Sequence, residues 1–124
     1  MIEKAIKWEP VPGIDGLFGS ISFAYAPGDG RSISVTMHGE RNLHLHFARA
    51  IALRFEDDCP GFNPLPRPLP MLRVDVTFPL LKIEQSLWVS QWHPLHTGLV
   101  HFALLSSDDL VQLIARPSVD AHWG

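Results

Sequence analysis

With 124 residues, the chain is long enough for one domain with its own core, taken as residues 1–124, and short for two. Its formal net charge of −3, with lysines and arginines scattered along the chain, offers no basic patch to a phosphate backbone, so nucleic acid is excluded as the expected partner. The single cysteine, Cys59, has no internal partner for a bridge, Met1-Ile2-Glu3-Lys4 opens no apolar stretch of the secretory kind, and the longest apolar runs fall far short of the ~20 residues of a spanning helix, which together predict a cytoplasmic protein with no membrane segment.

Residues 1–17 carry Pro10, Pro12, Gly13 and Gly16 around Trp8 and Ile14, the composition of an irregular entry segment pinned by apolar anchors. From residue 21 to residue 55, large apolar residues then fall almost only on odd positions, the period of strands with one buried face. Residues 18–26 form the first strand, with Ile21, Phe23 and Tyr25 on one side, and Pro27-Gly28-Asp29-Gly30 ends it as a turn. Residues 31–38 follow, pointing Ile33, Val35 and Met37 inward and Ser34, Thr36 and His38 outward. The next loop must bring odd positions opposite odd positions, which requires three or five residues, since a loop of four would bury the histidines.

The following strand holds Leu43, Leu45 and Phe47 inside and His44 and His46 outside, and the same parity continues through Ile51, Leu53 and Phe55. A long strand bending at Ala48-Arg49-Ala50 to serve two sheets preserves that parity, as does a hairpin with those residues as its loop. The absence of Gly, Asn or Pro there favours the bend. Prolines at 64, 66, 68 and 70 make residues 62–70 an extended polyproline-like crossing rather than a central strand. Strands are expected again over residues 73–78 and Leu80–Glu84, separated by Pro79. Residues 85–92 hold the one expected helical turn, capped by Ser86. Residues 99–106, largely buried, then residues 110–115 and Val119–Trp123, complete the strands, with Ser107-Asp108-Asp109 as a turn between the first two. The result is an all-β, mainly antiparallel fold, a β-sandwich or flattened barrel of about eight or nine short strands with one short helical turn.

Chemistry has fewer candidates. Six of the seven histidines lie in two groups, His38, His44 and His46 around one hairpin and His93, His96 and His101 further on. A strand presenting His-x-His places two imidazoles on one face, so His38, His44 and His46 are the candidate ligands of zinc or another divalent transition metal. Gly39, His44-x-His46 and Glu56 follow part of the first cupin motif, yet Ala50 and Ile51 stand where its carboxylate belongs, which removes that family and leaves only a generic metal site. The acidic run Glu56-Asp57-Asp58 reads as a solvated rim, and Cys59 beside it as an ordinary thiol rather than a nucleophile. Trp8, Trp88, Trp92 and Trp123 read as packing residues.

The run Phe78-Pro79-Leu80-Leu81-Lys82-Ile83-Glu84-Gln85-Ser86-Leu87-Trp88, then His101-Phe102-Ala103-Leu104-Leu105-Ser106-Ser107-Asp108-Asp109-Leu110, then Leu113-Ile114-Ala115 ahead of Val119, resembles the C-terminal half of small bacterial all-β proteins, some of them similar to immunity proteins of toxin systems. The resemblance implies a noncatalytic accessory protein that binds another protein, and it transfers no functional residue. An acidic edge made by residues 56–58, Asp108 and Asp109 would suit a basic partner. Self-association into a homo-oligomer is compatible with this reading. The alternative is a metal-binding protein, or a metal-dependent enzyme of the small-barrel type, built on His38, His44 and His46.

Overall fold

The computed structural model describes residues 4–14, 18–25, 32–57, 78–92, 97–107 and 109–124. Among these residues, nine strands form two antiparallel sheets that pack face to face. The first sheet has the order β1-β6-β7-β8-β5, built from β1 (Lys4–Lys7), β6 (Leu80–Glu84), β7 (Val100–Leu105), β8 (Asp109–Ala115) and β5 (Ala52–Asp57). The second has the order β2-β3-β4-β9, built from β2 (Ser20–Tyr25), β3 (Ile33–His38), β4 (Leu43–Phe47) and β9 (Val119–Trp123). Of the two expected architectures the sandwich is the observed one, since among the described strands each sheet keeps two edges.

Period-two alternation decides which side chains fill the space between the sheets. On β3 and β4, Ile33, Val35, Met37, Leu43, Leu45 and Phe47 are buried, while their even-numbered neighbours are partly or fully exposed. They meet Phe102, Leu104, Val111 and Leu113 from the first sheet. Trp8 wedges among them, its ring centroid 4.7 Å from Phe102 and 5.9 Å from Phe47. Met37 pairs with Leu43 and Thr36 with His44, the register of the three-residue loop.

Strands β7 and β8 lie in the middle of their sheet and are buried on both faces. Their second face forms a smaller apolar cluster of Ala103, Leu105 and Leu110 with Leu81 and Ile83 of β6. Central strands covered on both sides read as nearly continuous apolar runs rather than alternating ones, which is the pattern of residues 99–106.

Several expectations need correcting. Residues 1–17 are not wholly irregular, because Lys4–Lys7 pairs with β6, Lys4 opposite Glu84 and Lys7 opposite Leu81. Four residues carry too little periodicity to be seen alone, and the edge of β6 supplies the hydrogen bonds that make them a strand. The odd face of the first half is not inward throughout. Tyr25 is 58% exposed and Phe55 38%, and both stand on edge strands, β2 and β5. The chain does pass from β4 to β5 between the two sheets, but through a turn at Ala48-Arg49 in which Arg49 has φ 54°, not through a continuous bend. The strand begun at Phe18 starts instead at Ser20, Phe18 making a parallel bridge to Ser106. The crossing at residues 62–70, the turn at 27–30 and nearly all of the strand expected over 73–78 fall outside the described residues.

Candidate functional site

The histidine face lies on the solvent side of the second sheet. His38 on β3 and His44 and His46 on β4 all project outward, as parity requires, and β9 adds His122 opposite His44, with ring centroids 5.2 Å apart and nearly parallel. Each of the first three is engaged by a hydroxyl on a neighbouring strand. Ser22 Oγ lies 2.8 Å from Nε2 of His38, Thr36 Oγ1 lies 3.1 Å from Nδ1 of His44, and Ser34 Oγ lies 3.3 Å from Nδ1 of His46. These are cross-strand side-chain pairs of the kind that stabilise a sheet. Among the described residues, no three His, Cys, Asp or Glu side chains come together in a group able to hold a metal ion. The face therefore presents as a ladder of imidazole–hydroxyl pairs. His93 and His96, grouped with His101 in the sequence, fall outside the described residues.

His101 itself belongs to a different place. It sits on the outer face of β7, 3% exposed, between two polar side chains that the sequence did not single out as a group. Ser86 Oγ lies 2.8 Å from its Nδ1, and Gln112 Oε1 on β8 lies 2.8 Å from its Nε2. Gln112 presents its carbonyl oxygen, so Nε2 carries the ring proton and donates it, leaving Nδ1 to accept from the Ser86 hydroxyl. Ser86 is also the N-cap of α1 (Leu87–Ser90), its Oγ accepting the Val89 N–H at 3.1 Å.

Local structure explains how the serine reaches the histidine. β6 ends at Glu84, Gln85 takes φ 55°, and Ser86 returns to extended backbone with φ −65° and ψ 125° before α1 begins. That one left-handed residue reverses the chain so that Ser86 faces β7. The Trp88 ring in α1 stands edge-to-face to the imidazole with centroids 5.2 Å apart, and the Arg54 guanidinium lies 4.7 Å from the Trp88 ring centroid. Beside the serine and histidine opens a cavity of about 1110 Å³ whose apolar lining includes Ile83, Leu87, Val89 and Leu99. The helical turn and its Ser86 cap were legible from the sequence. The partnership with His101 and Gln112 joins residues far apart in the chain, and only the β7–β8 register reveals it.

Asp109 does not belong to the acidic edge expected from the sequence, and Asp58 lies outside the described residues. Asp109 is buried, 5% exposed, and its Oδ2 accepts the backbone N–H of Ile21 at 3.0 Å. Cys59 and Asp108 lie outside the described residues. Of the tryptophans, Trp8 is in the core, and Trp123 donates its indole N–H to the Pro12 carbonyl at 3.1 Å while Arg41 stacks 4.5 Å from its ring centroid. Both are packing roles.

Comparison with protein-family models, with curated proteins and with solved structures finds no match to this chain. No helix among the described residues is long and apolar enough to cross a membrane.

Proposed function

We propose that the protein is an accessory protein that acts by binding another protein, immunity-like in role. The observation that supports this reading most directly is an aromatic corner where edge strands of the two sheets meet. Phe23 and Tyr25 stand on β2, Phe55 stands on β5, and the Phe23 and Phe55 rings touch edge-to-face with centroids 5.3 Å apart. Tyr25 and Phe55 are two of the three large apolar side chains that are exposed among the described residues. Aromatic anchors gathered at one place are what concentrates binding energy in protein interfaces.

The edge strand that carries Phe55 closes on Glu56 and Asp57, and the chain as a whole is acidic. A basic partner therefore fits best, steered by charge and anchored on the aromatic corner. An immunity-like role would pair the protein with a toxin encoded beside it. The test is titration of the purified neighbouring gene product with wild-type protein and with the double variant Tyr25→Ser, Phe55→Ser. Loss of even one anchor of hot-spot grade corresponds to at least a ~30-fold weakening, and loss of both to more. Equal affinity of the two forms, or a concentration-dependent homodimer that the variant abolishes, would replace this reading.

A further inference from the structure

We propose that Ser86 is an activated nucleophile, with His101 as its general base and Gln112 as the residue that positions the base, and that it acts on carboxylic esters of apolar acids. This goes beyond the surface role and rests on different residues. The hydroxyl–imidazole separation of 2.8 Å is within reach for direct proton transfer. Gln112, 2.8 Å from the far ring nitrogen, supplies the third group that fixes tautomer and ring orientation, a place that a neutral amide fills in some thiol hydrolases. Capping α1 explains only the serine, since an N-cap needs one oxygen and no histidine or glutamine behind it.

The surroundings suit the chemistry. The Val89 N–H donates to Ser86 Oγ at 3.1 Å and fixes the position of the hydroxyl. Ser86 and His101 line the same cavity as Ile83, Leu87, Val89 and Leu99, and that apolar part accepts an acyl chain. In the first step the hydroxyl proton passes to Nδ1 of His101 while Oγ bonds to the ester carbonyl carbon. The bond to the alcohol oxygen then breaks, and the leaving alkoxide takes the proton from Nδ1. Water next attacks the acyl-serine, giving its proton to Nδ1. The Oγ–acyl bond breaks as that proton returns to Oγ, which releases the acid and restores the serine.

An alkyl fluorophosphonate tests this on the full chain, because Oγ–P bond formation with loss of fluoride leaves a stable mass increment. Peptide mass mapping is expected to place the increment on Ser86. Ser86→Asn, which keeps a capping side chain, should remove it while the thermal melt stays close to wild type. His101→Gln should slow labelling on the order of 10²-fold or more, the usual contribution of a general base. Gln112→Met, of similar volume but without the acceptor, should slow it by a smaller factor and provides the decisive comparison if His101→Gln does not fold. Absence of label on Ser86 in the wild-type protein, or labelling at an unchanged rate in a folded base or positioning variant, would overturn the assignment and leave the three residues a purely structural network.

Discussion

Asp109 and Ile21 join the two sheets of this protein through a single hydrogen bond, the Asp109 carboxylate on β8 accepting the backbone N–H of β2 at 3.0 Å. The same corner is secured by the Ser107 N–H, which donates to the Phe18 carbonyl at 2.9 Å, and by the Ser106 hydroxyl, which accepts the Asp109 N–H at 2.9 Å. β2 is a sheet edge, and an edge presents backbone groups to any passing strand. The carboxylate closes one of them.

Replacing Asp109 by Ala therefore leaves a buried N–H without its acceptor, and the expected cost is about 1–3 kcal/mol. Asp109→Asn retains an acceptor oxygen and should lose less. Urea denaturation of the two variants against wild type checks the order, and equal stability of Asp109→Ala and wild type would show that the bond contributes nothing.

The two faces of β4 give a sharper contrast. Leu45 is buried between the sheets and His46 lies on the outer face. Leu45→Asp places an unpaired carboxylate in the core, a cost of several kcal/mol that rivals the whole stability of a domain this size. His46→Asp should change stability by roughly 0.5 kcal/mol or less, as surface replacements do. Circular dichroism with chemical denaturation distinguishes an unfolded from a folded variant directly.

Zinc provides a test of the histidine ladder. One ring nitrogen of each of His38, His44 and His46 is already held by a hydroxyl on an adjacent strand, and the three do not converge. Added zinc should leave the melting temperature of untagged protein unchanged. A formed site would contribute about 2.7 kcal/mol at a hundred times its dissociation constant, and a saturable shift lost in His44→Ala would show that the rings do converge on an ion.

The aromatic corner should separate binding from folding. Tyr25→Ser removes a mostly exposed ring and is expected to alter stability by no more than about 0.5 kcal/mol. Phe23→Ser, which takes a ring away from the edge of the core, should cost clearly more. Thermal melts of the two variants establish which of them is suitable for a binding measurement.

What the sequence revealed follows from how local each signal is. The alternation of Ile33, Val35 and Met37 against Ser34, Thr36 and His38 is written into consecutive residues, so the faces of β3 and β4 could be read directly. The Ser86 cap was visible for the same reason. Lys4–Lys7 was not, because four residues become a strand only when β6 is there to pair with them. Tyr25 and Phe55 obey the parity rule and are exposed regardless, since parity assigns a side of the sheet and says nothing about whether that side is covered. Asp109 looked like surface because acidic residues after a serine usually cap turns, and its backbone partner on β2 lies 88 positions away. The Ser86, His101 and Gln112 grouping needed both the β7–β8 register and the chain reversal at Gln85.

Strand order also governs the timing of assembly. β4 is completed on its free side by β9, Leu43 pairing with Trp123 and Phe47 with Val119, although nearly the whole of the first sheet intervenes in the chain. Until β9 arrives, β4 is an open edge with His44 and His46 on one side and three large apolar residues on the other. Loop closure over that distance must precede any gain from the pairing, which makes the last step slow relative to hairpins such as β3–β4. Refolding should show β2, β3 and β4 protected from hydrogen exchange before β9, and β4 is the surface on which two half-folded molecules would first exchange strands.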